Sequence, residues 1–539
     1  MAMKTQYDVV VIGSGFGGAI TAHRVAEAGR SVAILEKGRR WRKEQFPRTI
    51  GRVSTGFWQE ARSRGFIEYR TFRKMDVIQG VGVGGGSLHY FNVHVRAPRK
   101  VFETLGWPKA VRRSVLDPYY DLVQQKLESA PLEPPAGMAL PPRTEAFMAS
   151  AQRTGKRARL LDLAVYTGEA RQNGAGVPQS ACVYCGNCML GCHVHAKNTL
   201  DITYIAEAEK KFGLEVFPLH EVSRIAPLSP RGYRVEFSRQ EDGAGSAELG
   251  HVDASSVIVA AGTLGSTELL LRCRDVHRTL PRLGQALGTR FSGNGDFLFA
   301  GAYATRDLID PAYGPSITAA VDCSTAENLI TVEDLGYPDP LLWFTEGALP
   351  PRAGRLALIL QLAKDYIVAA LGFGGESSRV SKEIAGLLAG GRTARFLPYL
   401  GMGTDAADGV LKLKSGNIDL VWSHRKSRRM FRQMEAAMAE LASAAGGRYS
   451  TSFLWRWPLR KLLTAHPLGG CPMGDDPDFS VVNSRGEVWN YPDLYVTDGA
   501  AIPSALSVNP SLTIGAIAER AAWWMLNGRE WRGESRPRV

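Results

Sequence analysis

The hexapeptide Gly13-Ser14-Gly15-Phe16-Gly17-Gly18 follows the β-branched run Tyr7–Ile12 without a gap, and it leaves this end of the chain few ways to fold. In a GxGxxG turn of this kind the first glycine makes the tight bend. The second admits a pyrophosphate against bare backbone, and the third lets the next helix pack on the strand. Ala19–Ala28 has helical character, and Ser31–Glu36 is apolar again and ends in an acid. Strand, helix and strand therefore open a parallel sheet. Glu36 lies 18 residues beyond Gly18, at the end of the second strand, where a carboxylate accepts hydrogen bonds from both hydroxyls of a ribose. The pattern predicts dinucleotide binding by Gly13, Gly15, Gly18 and Glu36, with phosphate at the helix N-terminus. NAD and FAD both satisfy it. A second cluster, Gly80-Val81-Gly82-Val83-Gly84-Gly85-Gly86-Ser87, brings more backbone amides within reach of a flat or charged ligand and favours the longer cofactor, FAD.

Two later segments extend this sheet. Val257–Ala261 reads as a buried strand ending at Gly262 and leading into helical Ser266–Arg274, and Leu494–Thr497 is a strand ending at Asp498 and Gly499. The fold class expected is α/β: a Rossmann-type nucleotide domain, discontinuous in sequence, with a second domain inserted. The expected division is 1–95, 200–300 and 460–530 for the nucleotide domain, 96–199 for a cap and cysteine-loop region, and 301–459 for a substrate domain. Glycine supplies 58 of 539 residues, above the ~7% of average usage, in keeping with many tight backbone sites.

The formal net charge of +12 is scattered. Its densest patches, Arg39–Lys43 and Arg425–Arg432, lack interleaved aromatics or a nucleic-acid module, so they read as solvated faces, with a peripheral membrane contact as the other reading and no nucleic-acid partner. No uninterrupted apolar run reaches the roughly 18 residues of a membrane span. The closest, Leu356–Leu371, carries Lys364 and Asp365 and reads as a buried helix or an entry flap. No targeting segment is read, and seven cysteines without one point to a reducing compartment, hence a cytoplasmic location.

Near the end of the sequence His466 sits on a turn fixed by Pro467, Gly469 and Gly470, and Asn509-Pro510 reads as the cap and first position of a helix running to Trp524. A helix N-terminus stabilises developing negative charge, and a histidine beside it can take the proton of an alcohol. The stretches YDVVVIGSGFGGAITAHRVAEAG, GVGVGGGSLHYFNV, CVYCGNCMLGCHVHAKNTLD, VIVAAGTLGSTELLLRCRD, AHPLGGCPMGDDP and LYVTDGAAIPSALSVNPSLTIGAIAERAA, spread from Tyr7 to Ala522, resemble the glucose-methanol-choline (GMC) flavoprotein oxidoreductases, cholesterol-oxidase-like branch. The resemblance implies the GMC fold with an α+β substrate domain. It also implies FAD held by Gly13, Gly15, Gly18 and Glu36, by Gly84, Gly85, Gly86 and Ser87 beside the flavin ring, by Asn92, and by Asp498 and Gly499 near the ribityl chain. It makes His466 and Asn509 the catalytic pair and offers Glu333 as a third group at the substrate hydroxyl. The implied reaction is oxidation of a hydrophobic alcohol, sterol-like, long-chain or aryl, by hydride transfer to flavin, with dioxygen or another acceptor taking the electrons. Rival readings are a nicotinamide-dependent dehydrogenase and a non-catalytic electron-transfer or binding protein. His89 and His94 lie near the glycine cluster, within reach of a covalent flavin link that nothing in the sequence requires.

Cys182, Cys185, Cys188 and Cys192 have the C-x2-C-x2-C-x3-C spacing of ferredoxins. An iron-sulfur cluster, a structural zinc and a metal-free set of thiols or a local disulfide all remain open. Some GMC glucose dehydrogenases have a similar loop that holds a three-iron cluster, and a cluster here would make the protein a dehydrogenase delivering electrons to an acceptor other than dioxygen.

Overall fold

The computed structural model describes residues 3–530 apart from 105, 135, 136, 138, 241–246, 342–363, 365–392, 453, 457 and 458. Strand β1 (Gln6–Ile12), helix α1 (Phe16–Glu27) and strand β2 (Val32–Glu36) form the expected strand, helix and strand, with β1 and β2 parallel and Val9 opposite Val32. Val10, Val11, Ala33 and Ile34 have no exposed surface, which is why these strands are continuous apolar runs rather than alternating ones. Gly13 takes the left-handed conformation at φ 94°, and a Cβ on Gly18 would lie 2.0 Å from the Gly13 carbonyl oxygen. Both glycines are therefore steric requirements of the turn.

The first sheet runs Glu215–Pro218, β2, β1, Glu248–Val259, Tyr233–Arg239, His220–Pro227. The long strand Glu248–Val259 pairs antiparallel with Tyr233–Arg239 over its first half and parallel with Leu494–Val496 at its end. Chain segments from the beginning, middle and end of the sequence thus share one sheet. The last helix, Ser511–Asn527, closes on α1 and on the helix Arg113–Lys126. Gly515 makes this closure feasible, since a Cβ there would meet Ile20 and Val123 at 3.1 Å.

The second sheet is antiparallel throughout, in the order Arg448–Ser450, Phe297–Tyr303, Phe396–Gly403, Ile330–Asp334, Ala319–Asp322, Ala158–Leu160. Helix Arg428–Ala444 covers it with Met430, Phe431, Met434, Met438 and Leu441. Gly401 and Gly403 on the facing strand leave room for two of these thioethers, a Cβ at either site lying within 2.6 Å of a methionine sulfur. The boundary at residue 300 falls inside the strand Phe297–Tyr303, and Ala158–Leu160 leaves the 96–199 region to join this sheet; both follow from cross-strand pairing that no local pattern announces. The stretch Leu356–Leu371 lies outside the described residues apart from Lys364. Among the described residues no helix is long and apolar enough to cross a membrane.

A small third sheet matters most for the site. Met75–Gly80 pairs with Ile67–Thr71 on one side and, in parallel, with Leu462–Thr464 on the other, Thr464 opposite Val77. The strand ending at Gly80 runs into the second glycine cluster, and the one ending at Thr464 runs into His466. One sheet therefore delivers both to the same region.

Candidate active site

The two glycine loops touch. A Cβ on Gly85 would lie 2.5 Å from the Gly15 Cα, and Gly85 holds φ 52°, so only bare backbone permits the contact. Ser14 and Glu36 stitch the loops together. Glu36 Oε2 accepts from the Ser14 N–H (3.0 Å) and hydroxyl (2.6 Å), and Oε1 accepts from the N–H groups of Gly38 (2.9 Å) and Gly82 (3.1 Å). Burial pushes the Glu36 carboxyl up from its ordinary value while these donors oppose the rise. The Gly84 N–H donates to Ser14 Oγ at 3.1 Å. The N-cap of α1 is Gly15, with no side chain capping it and no acid in the first turn, which suits a phosphate. Asn92 is buried at φ 67° with its Oδ1 unpartnered among the described residues. These features fit FAD.

Not every expected cofactor residue presents a side chain to a ligand. The Ser87 hydroxyl donates to the Gly84 carbonyl and accepts from the Leu200 N–H, so it pins the glycine loop in place. Asp498 accepts from Gly262 N–H, Ser266 Oγ and Ala500 N–H and caps the short turn Gly499–Ala501. Gly86, by contrast, has open space where a side chain would be.

His466, Asn509 and Glu333 arrive from three separate segments. His466 Nδ1 bonds Asp296 Oδ1 at 2.9 Å, and the Asp296 side chain is 1% exposed. With Nδ1–H donated to that carboxylate, the Nε2 nitrogen carries the ring's lone pair. Asn509 Nδ2 donates to Glu333 Oε2 at 3.3 Å. Asn509 Oδ1 and Glu333 Oε1 are buried without a partner among the described residues, which is how groups held for a ligand look. Burial, with a smaller contribution from the Asp334 and Asp296 charges, pushes the Glu333 carboxyl up to about 8 against the lowering effect of the Asn509 bond. It is therefore neutral at pH 7. The sequence reading of Asn509 as a helix cap is corrected: helix Ser511–Asn527 has Pro510 at its N-cap position with no side-chain cap. One residue earlier, the Asn509 amide is free to meet Glu333.

The cysteine loop lies behind the glycine cluster. All seven cysteines of the chain are free thiols, which removes the local disulfide. Cys182, Cys185, Cys188 and Cys192 line one cavity of about 30 Å³ together with Asn92 and Lys197. Among the described residues no three His, Cys, Asp or Glu side chains are placed to hold a metal ion. The loop closes on protein groups instead. Asn92 Nδ2 donates to Cys188 Sγ at 3.3 Å, and the buried Lys197 ammonium donates to the carbonyls of Leu88 and Cys188, both at 2.8 Å. Burial pushes the thiols of Cys182, Cys185 and Cys192 up. His89 and His94 are buried, and burial lowers both to about 3, leaving neutral imidazoles.

Sequence reasoning missed Asp296 and Asn294. The dipeptide Asn294-Gly295 before an apolar strand is a turn signal, but nothing local identifies the partners of the Asn294 and Asp296 side chains, which lie more than 160 residues away. Over 554 aligned residues the chain is 29% identical to a cholesterol oxidase of Mycobacterium tuberculosis, covering 96% of this chain and 91% of that one. A long-chain-alcohol oxidase of Arabidopsis thaliana is 23% identical, with 96% of this chain and 66% of that one covered. The solved structure of pyridoxine 4-oxidase from Mesorbium loti shares the fold at TM-score 0.61 and 16% identity, covering 96% of this chain and 98% of that one. Residues 7–287 match the N-terminal and residues 414–518 the C-terminal part of the GMC oxidoreductase description; since the first alone spans more than half of the sequence, the chain belongs to the GMC oxidoreductase family.

Proposed function

We propose that this protein is an FAD-dependent oxidase of a hydrophobic alcohol, sterol-like or long-chain, with His466 as the acceptor of the hydroxyl proton. The observation that carries the reading is the buried Asn509–Glu333 pair, in which each residue keeps one oxygen unpartnered among the described residues, together with the Asp296 carboxylate that bonds His466 Nδ1 and so leaves Nε2 with the ring's lone pair. Bound FAD supplies the acceptor for the two electrons that leave the carbinol carbon as hydride. The residues that would hold it are the amides of the Gly13–Gly15 and Gly84–Gly86 loops, with Glu36 bracing the two loops through its bonds to Ser14, Gly38 and Gly82. Glu333 is neutral at neutral pH, so it donates or orients and does not compete for the hydroxyl proton. Asn509 holds Glu333 and offers its free Oδ1 to the substrate side. Asp296 stabilises the imidazolium formed when His466 takes the proton.

The cholesterol-oxidase and long-chain-alcohol-oxidase relatives support the substrate class and dioxygen as acceptor, in which case each carbonyl formed is matched by one hydrogen peroxide. The test is anaerobic mixing of the purified yellow protein with sterols and with long-chain and aryl alcohols, followed by admission of air. A hydrophobic alcohol should bleach the flavin, and air should restore the colour with stoichiometric peroxide. His466→Gln should keep its FAD and lose about 100-fold or more in the bleaching rate. Bleaching at the wild-type rate by that variant overturns the assignment of His466.

A further inference from the structure

The turn Ser292–Asp296 reaches both halves of the proposed catalytic pair. Asn294 Nδ2 donates to the Val508 carbonyl at 2.9 Å, and its Oδ1 accepts from the N–H groups of Leu506 (2.8 Å) and Ser507 (3.0 Å). Those three residues lead directly into Asn509. Two positions after Asn294, Asp296 takes the whole of the histidine turn: Oδ1 bonds His466 Nδ1, and Oδ2 accepts from Thr464 Oγ1 and the Ala465 N–H, both at 2.9 Å. The turn is itself braced. Asn294 and Gly295 hold φ 57° and 63°, a Cβ on Gly295 would lie 2.3 Å from the Gly403 oxygen, and the buried Asp405 carboxylate accepts from Ser292 Oγ, Gly293 N–H and Gly295 N–H.

We infer that this turn is the positioning element of the site. Asp296 fixes the tautomer and bearing of His466 while Asn294 sets the placement of Asn509, so that two side chains delivered by separate segments share one rigid frame. The inference rests on His466 accepting the hydroxyl proton. An imidazole whose Nδ1–H lacks a carboxylate acceptor can turn over to the tautomer that presents N–H to the substrate, and that form cannot take a proton. An asparagine at 296 keeps the shape but removes the charge and can itself donate to Nδ1, favouring the wrong form. Asp296 is a positioning residue in this scheme, because it acts only through His466.

A double-mutant cycle on the holoenzyme tests this, reading flavin reduction by the alcohol in single turnovers and FAD content by absorbance. Asp296→Asn should lower the reduction rate by about 100-fold or more with the apparent substrate affinity within about threefold. In a His466→Gln background the same change should cost less than about twofold. Equal losses in both backgrounds would show that Asp296 merely supports the fold, and an undiminished rate in the single variant would overturn the inference outright. If His466→Gln alone reduces flavin at the wild-type rate, it is the role of His466 that fails. Should Asp296→Asn not retain FAD, Thr464→Val removes only one hydroxyl of the same linkage, and its expected loss of about tenfold must vanish in the His466→Gln background; a loss that persists there also overturns the inference.

Discussion

Glu333 and Asp334 are neighbours on one strand, both wholly buried, and their surroundings differ sharply. Asp334 has the Arg143 guanidinium at 2.9 Å and accepts from the N–H groups of Thr318 and Ala319, whereas Glu333 has one side-chain amide at 3.3 Å. Burial with so little compensation is what lifts the Glu333 carboxyl from its ordinary 4.5 to about 8. The sign of the linkage follows. Between those two values the folded protein keeps a proton that the unfolded chain releases, so this contribution to stability is fully present below the unfolded value and is lost as pH rises through the folded one. Glu333→Gln, neutral at every pH, should therefore gain on the wild type by about 2–6 °C in melting temperature between pH 5 and pH 8.5, with the gap levelling off above that. Parallel melting curves across that range would show that Glu333 is ionised in the native site. At this scale the sequence was legible where sterics follow from residue type, as at Gly13 and Gly18, whereas Glu36, expected at a ribose, bonds Ser14, Gly38 and Gly82. It was silent on Asp296, whose importance lies wholly in a partner brought to it by the fold.

Elements were legible in proportion to how locally they are determined. The β1–α1–β2 unit could be read because glycine sterics, apolar runs and a terminal acid all lie within one short stretch. The second sheet could not, because its strands are short, antiparallel and paired across long gaps, Ile330–Asp334 with Phe396–Gly403 for instance, and pairing of that kind is set by packing rather than propensity. The last helix shows an intermediate case: its existence was plain, yet its start lies one residue later than the Asn-Pro signal suggests, and that single residue turns Asn509 from a cap into a site group. The two glycine loops also differ in a way that can be measured. Gly18→Ala must lift α1 off β1, since its Cβ would meet the Gly13 oxygen at 2.0 Å and Val11 at 3.1 Å, at a cost of about 1–3 kcal/mol. Gly86→Ala meets nothing within 4 Å of protein. The expected outcome is loss of most bound FAD with a lowered melting temperature for the first, and an unchanged melting temperature of the apoprotein for the second, read from the ratio of flavin to protein absorbance and from thermal melts. Equal destabilisation by the two would show that backbone crowding does not govern the first turn.

The whole molecule is held closed by contacts between its two ends. Glu519, on the last helix and 2% exposed in its side chain, accepts from Arg24 Nε at 2.7 Å and Nη2 at 3.0 Å on α1, and from the Tyr204 hydroxyl at 3.0 Å. The sequence separation of 495 residues between Glu519 and Arg24 means that the nucleotide-binding sheet and its covering helices cannot be completed until the final segment docks. Loop closure over such a span costs only slightly more than over a short one, so the topology is thermodynamically tolerable, but it ties cofactor binding to the integrity of both ends. Glu519→Ala leaves a largely buried guanidinium with Glu27 as its carboxylate partner among the described residues and removes the acceptor of the Tyr204 hydroxyl, a loss of about 2–4 kcal/mol. Melting should therefore come about 2–4 °C earlier, with FAD fluorescence and far-UV circular dichroism changing in one coincident transition, because the segments that would grip the cofactor are the ones this cluster joins. Replacing both partners, Arg24→Met with Glu519→Leu, removes the uncompensated charge and should recover at least half of the loss, since an apolar pair of similar volume often replaces a buried ion pair at little cost. Two separate transitions in the single variant, with FAD released before the secondary structure melts, would mean that the ends can part while the rest of the nucleotide domain stays folded.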